Sequence, residues 1–175
     1  MITLKPLPDE HIYSYLYRGY SIYGIDAFQT IINADGLFKR RIGVIKPEHV
    51  RPFIARARDI SRACHLSGFA CFSLELQFGY KTQYFDSSAI PPGLKIVPLN
   101  KTKPHEISFC PRCIQSFITT YGCAYLLSSW LSSPSHCEKH NTLMIKISPK
   151  NRKEALFYLK KIFIGIEDFS LFEMI

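Results

Sequence analysis

The chain has 175 residues, 47% of them apolar, and its 22 Lys and Arg outnumber 14 Asp and Glu to give a formal net charge of +8. That length suits one domain or two small ones sharing a core, and the apolar share excludes a largely disordered chain. The charge favours acidic partners, nucleic acid first and an anionic membrane surface second, while no apolar run reaches the length needed to cross a bilayer.

Met1-Ile2-Thr3-Leu4 is followed at once by Lys5, Pro6, Pro8 and two acids, so no signal peptide is expected. A first helix is expected between Asp9 as N-cap and Gly24 as the residue past its end, with Ile12, Leu16, Tyr20 and Tyr23 on one face. Its five tyrosines suit a packed core better than base stacking. Residues 26–32 read as a short second helix capped by Asp26, ended by the turn residues Asn33-Ala34-Asp35-Gly36.

A basic tract follows. Between Lys39 and Arg62 stand eight Lys or Arg (Lys39, Arg40, Arg41, Lys46, Arg51, Arg56, Arg58 and Arg62) against Glu48 and Asp59. The periodicity predicts a helix over 48–64, with Val50, Phe53, Ile54, Ala57, Ile60 and Cys64 as its apolar stripe. At about 100° per residue, Arg51, Arg58 and Arg62 line up away from that stripe. A solvated face would also account for them, but the excess of one sign favours nucleic-acid contact. Lys39, Arg40, Arg41, Arg51, Arg58 and Arg62 are therefore the candidate nucleic-acid residues, in a helix-turn-helix-like half.

Past Gly68 the pattern is mixed: Ser73–Phe78 fits a strand or a helical turn, and Pro91-Pro92-Gly93 is a break. Leu94–Ser108 is expected to run extended into Phe109-Cys110-Pro111-Arg112-Cys113. Downstream, Cys137-Glu138-Lys139-His140 answers it across a connection of 23 residues. A Cys-x-x-Cys and a Cys-x-x-His supply four thiolate and imidazole ligands, a set that suits one tetrahedral Zn²⁺. Four protein ligands leave no open position, which marks the site as structural. Cys123 is the one spare residue near enough to compete, and His136 is a poorer rival beside Cys137. Cys64 and Cys71 read as core thiols in a reducing cytoplasm.

Between the ligand pairs, Trp130 is expected to pack against the metal module, and Ser132–Ser135 to form the turn that presents the second pair. Leu143–Ile147 reads as a strand. A last helix is expected from a Ser148 cap and Pro149, burying Ala155, Leu156, Leu159, Ile162, Phe163 and Ile166. The stretch 166–175 is acidic and apolar. The fold class that emerges is mainly α with a small β zinc ribbon. It divides into a basic helical half (1–92), a zinc module (93–147) and a carboxy-terminal helix and tail (148–175). Gly-rich phosphate loops, nucleophile elbows and clustered carboxylates are all missing from the sequence, so a non-enzyme is expected.

Phe109-Cys110-Pro111-x-Cys113, Tyr121-Gly122, Tyr125, Trp130 and Cys137-x-x-His140 with Leu143 resemble the zinc-binding motif of TniQ-family transposition proteins. Leu7-Pro8-Asp9-Glu10, Ser14-Tyr15-Leu16, Arg18 and Gly24 are similar to that family's opening helix. The resemblance spans most of 5–145, most weakly in the middle. It departs in having no second Cys-Pro-x-Cys ribbon after His140 and none of the long carboxy-terminal region of large relatives. It implies a non-catalytic adaptor in targeted DNA transposition. Such an adaptor links a target-site selector, DNA-bound or RNA-guided, to an AAA+ ATPase regulator and transposase, with homodimerisation as an option, away from membranes and in a prokaryotic cytoplasm near the nucleoid. The alternative reading is a stand-alone zinc-containing DNA-binding regulator.

Overall fold

The computed structural model describes residues 4–39, 45–54, 104–132 and 134–165. These form four α-helices, short 3-10 turns and one two-stranded antiparallel sheet.

Helix α1 spans Ile12–Tyr23 and buries nine consecutive residues, Ile12 to Tyr20. It starts later than the sequence pattern indicates. Asp9 adopts a left-handed φ of 54°, and Glu10 pairs with Leu127 in an antiparallel bridge, so neither is free to begin the helix. The cap is His11, whose Nδ1 accepts the Ser14 N–H at 3.0 Å. Gly24 ends the helix at φ 64° as expected, a conformation that favours glycine. The tyrosines are core: Tyr13, Tyr15, Tyr17 and Tyr20 are all buried.

The expected helix over 26–32 is only a 3-10 turn, Phe28–Thr30, and Asp26 does not cap it. Thr30 spends its hydroxyl on the Ala27 carbonyl, and Ile32 is drawn across the 33–36 turn to pair with Phe38. Phe38 pairs on its other side with His105, placing the extended approach to the metal module against this hairpin.

Helix α2 is four residues, Pro47–Val50, where the pattern suggested seventeen positions from 48 to 64. Proline at 52 lacks the N–H that would bond the Glu48 carbonyl, and the chain continues past Arg51 only as turns to Phe53. Residues 55–64, like 66–78 and 91–103, lie outside the described residues. Val50, Phe53 and Ile54 are buried, Phe53 edge-on to Tyr15 and Tyr20. A Cβ at Gly19 would stand 2.5 Å from the Phe53 ring, so only glycine lets this ring close on α1.

Strand β1, Ile107–Phe109, and β2, Ile145–Ile147, pair in the register Ile107↔Ile147 and Phe109↔Ile145. Helix α3, Pro111–Tyr121, follows β1 directly, opened by Pro111 and closed by Gly122 at φ 73°. Helix α4, Arg152–Ile164, is capped by Asn151, whose Oδ1 accepts from Glu154 N–H, and not by Ser148. Pro149 is instead packed at Gly36, where an added Cβ would lie 2.6 Å from it, and Arg152 bonds the Ala34 and Ile32 carbonyls. The helix therefore begins only after its chain has been fastened to the 32–38 hairpin.

One polar joint binds α1 to the carboxy-terminal half. Glu10 and Arg18 form an ion pair at 2.5 Å, their side chains 0% and 7% exposed. The second Glu10 oxygen accepts Arg18 Nε at 2.7 Å and Ser14 Oγ at 2.8 Å, and Ser14 Oγ in turn accepts the Leu126 N–H at 3.0 Å. Breaking a buried pair on one side leaves a naked charge, at a cost of about 3–5 kcal/mol. Glu10→Gln is therefore expected to lose about that much stability in urea unfolding, and Glu10→Gln/Arg18→Met together less than the single change. Equal loss in single and double variants would show that the charge is not the source.

Beside this joint lies a second titrating feature. His11 is enclosed by Tyr13 and Phe38, with His105 near. Burial pushes its pKa down to about 3, and burial lowers His105 as well. Depression below the unfolded value of about 6.5 means that the neutral ring is favoured in the fold. The stability this gives is complete above pH 6.5 and declines as pH falls towards 3, by up to about 1.4 kcal/mol per pH unit for each such histidine. His11→Asn, which keeps a capping acceptor, is expected to flatten the pH dependence of unfolding below 6.5; an unchanged slope would exclude His11 as its source.

Candidate metal centre

The local fold explains how four ligands reach one point. Cys110 is the N-cap of α3 and Cys113 lies in its first turn, so both sulfurs stand at the positive end of the helix dipole, which favours thiolates. The second pair lies in a tight turn closed by Asn141 N–H to the Cys137 carbonyl and by Cys137 N–H to Thr142, both at 2.8 Å. Asn141 accommodates the left-handed φ of 50° that this turn needs. The β1–β2 register then sets the two turns side by side.

The ligand atoms of Cys110, Cys113, Cys137 and His140 all lie within 4.8 Å of one another, the three cysteines buried and His140 half-buried. His140 Nδ1 stands 3.5 Å from Cys110 Sγ, 3.3 Å from Cys113 Sγ and 3.7 Å from Cys137 Sγ. Cys113 Sγ and Cys137 Sγ are 3.6 Å apart. With Zn–S about 2.3 Å and Zn–N about 2.0–2.1 Å, a tetrahedron has S···S edges of about 3.8 Å and S···N edges of about 3.6 Å. The observed separations fit that frame, so the four residues are compatible with one structural metal ion.

Electrostatics point the same way. Burial, then the neighbouring Cys110 sulfur, pushes the Cys113 thiol far above its ordinary value. Burial also works against the Cys137 thiolate, but backbone N–H donors of His140 and Lys139 and the adjacent thiols outweigh it and hold that group below its usual range. Sulfurs this crowded ionise together only when a cation shares their charge.

Of the other expected residues, Cys123 is half-buried in a groove between α1 and α4, apart from the cluster. His136 is exposed and bonded to Ser135. Trp130 is buried near Phe117 of α3, as the sequence indicates. Lys39 is half-buried, its carbonyl accepting the Tyr13 hydroxyl, and Arg51 is exposed at the end of α2. Arg40, Arg41, Arg58 and Arg62 lie outside the described residues. Sequence reasoning missed Thr142, whose hydroxyl lies 3.4 Å from Cys110 Sγ and helps orient it. A hydroxyl residue two places after Cys-x-x-His was the available signal.

No protein-family model matches this chain, and no curated protein or solved structure matches it either.

The purified chain is expected to carry one divalent ion per molecule by elemental analysis. Structural sites of this kind contribute about 10–16 kcal/mol of apparent binding energy, as much as a whole domain's stability of about 5–15. Cys113→Ser should therefore lose the metal and the cooperative melting transition, whereas Cys123→Ser should keep both. A metal-free wild type, or Cys113→Ser melting like the wild type, would overturn the assignment.

Proposed function

We propose that this chain is a non-catalytic adaptor in targeted DNA transposition, joining a target-site selector to an AAA+ ATPase regulator and transposase. Its metal is zinc, held by Cys110, Cys113, Cys137 and His140. The observation that carries the reading is the closed Cys₃His cluster set in the Phe109-Cys-Pro-x-Cys and Cys-x-x-His frame on which the TniQ-family resemblance rests. Four protein ligands fill a tetrahedral shell and leave no position for a reacting water, which suits a fold-stabilising ion better than a catalytic one.

The joint at Glu10, Ser14 and Arg18 supports the same reading, because the opening-helix residues that carry the resemblance at the amino end are those bonded to the metal half. In this reading the amino-terminal half is a helix-turn-helix-like module with exposed Arg51 among its nucleic-acid contacts, and the chain acts in a prokaryotic cytoplasm. An adaptor needs only modest, mainly electrostatic nucleic-acid affinity, because its specificity comes from the partners it joins and their effective concentration.

The test combines affinity and partnership. The isolated protein is expected to bind duplexes of unrelated sequence with similar, weak affinity, and to copurify with an AAA+ ATPase from its own host. Tight binding to one short duplex, about 10⁻⁸ M or better, without a copurifying ATPase would replace the adaptor with a stand-alone regulator.

A further inference from the structure

Away from the metal centre, the described surface gathers unpaired positive charge on one face of α4. At about 100° per residue, Lys153, Phe157, Lys160, Lys161 and Ile164 fall within an arc of about 100°. The buried Ala155, Leu159 and Ile162 lie on the opposite side. Lys150 precedes the helix and is exposed, as are Lys153 and Lys160. None of these four lysines forms an ion pair with a carboxylate among the described residues, although the charge of Lys150 is felt at Glu154. The one acid of the helix, Glu154, is occupied by the Lys150 N–H and the Tyr158 hydroxyl.

Two further features interrupt the charge. Phe157 is 53% exposed in the middle of the stripe, with Lys161 Nζ 4.5 Å from its ring centroid. Beyond it the stripe runs into a cavity of about 430 Å³ between α4 and α1. Phe163, Tyr17 and the exposed Ile22 and Ile164 give that cavity apolar walls, and Lys160 stands at it.

We propose that this face of α4, continued by the cavity against α1, binds single-stranded nucleic acid. The lysines follow the phosphates, Phe157 meets a base face, and the cavity receives an unstacked base. This rests on the nucleic-acid contact in the adaptor reading and adds to the contacts around Arg51 a second surface on α4. Charge of one sign with an interleaved aromatic is what a single strand requires. On a duplex, Phe157 would find no open base face, because the bases are stacked on one another. The lysines would suit an acidic protein as well, but the aromatic within the stripe and the apolar-walled cavity at its end favour bases.

Fluorescence anisotropy of the full chain, with a labelled oligo-dT strand and a mixed-sequence duplex over a salt series, tests this. The strand is expected to bind more tightly than the duplex, with a log–log salt slope of about −0.7 per phosphate contacted. Lys153→Glu/Lys160→Glu/Lys161→Glu should weaken strand binding by about tenfold or more and reduce that slope, with unchanged circular dichroism and melting. Phe157→Ala should weaken strand binding about fivefold or more and leave the slope alone. Unchanged strand affinity in the folded triple-lysine variant would overturn the assignment. If Arg51→Glu/Arg58→Glu/Arg62→Glu abolished binding instead, the nucleic-acid reading would stand and α4 would be excluded. Equal competition by poly-glutamate, with Phe157→Ala silent, would make the face an acidic-protein dock and overturn the proposal. No binding to either probe at low salt would remove the nucleic-acid contact itself.

Discussion

Three sulfurs and an imidazole nitrogen crowded within 4.8 Å are the constraint on which the carboxy-terminal half depends. Strands β1 and β2 have three residues each, too short to stand alone as a ribbon. What keeps them paired is their position: β1 ends at Phe109, one residue before the first ligand, and β2 begins five residues after the last. A cation bound by all four side chains would close this loop at its base. It would also anchor the start of α3, because Cys110 is the N-cap and Cys113 lies in the first turn of that helix.

From the metal centre the packing runs outward without a break to α1. Phe117, one turn beyond Cys113, stacks on Tyr125 with ring centroids 4.1 Å apart, and the next residue, Leu126, exchanges backbone and side-chain hydrogen bonds with His11 and Ser14. Segments more than a hundred positions apart in sequence thus share one core. The Glu10–Arg18 pair sits at this seam. Buried ion pairs are weak evidence of net stability, since desolvation offsets much of their attraction. This pair has a clearer use in register, because Glu10 also receives the Leu7 N–H and Ser14 Oγ, and Ser14 Oγ in turn accepts the Leu126 N–H, which ties α1 to the 124–128 segment.

The metal cluster and the termini of α1 at Gly24 were legible because each depends on a few residues close in sequence. Errors arose where a distant contact outbid a local signal. Asp9 and Ser148 are good caps by type, yet the Asp9 carbonyl is taken by Ser128, and Pro149 and Arg152 are fastened to residues 32–36, so His11 and Asn151 cap instead. The expected second helix lost Ile32 to a pairing with Phe38, and the long basic helix overlooked the missing donor at Pro52. Helix α3 has a local outline in Pro111, the buried Cys113, Ile114 and Phe117, and Gly122, but only three of its eleven residues are buried, so its apolar period is thin in the sequence.

The groups whose ionisation is most disturbed are also informative by their location. Perturbed side chains in an open cleft usually mark chemistry. Here His11 and Cys113 are enclosed by the core or by fellow ligands, and Arg18, whose guanidinium is held charged by Glu10 against the cost of burial, is committed to the inter-half joint. Among the described residues, the cavity beside α4 is lined mainly by apolar side chains, with Lys160 exposed at it and no acid in its wall. In the adaptor reading we propose, the disturbed groups serve the fold, the Cys₃His cluster would hold the ion that fixes the carboxy-terminal half, and the lysines and Phe157 of α4 would engage partners.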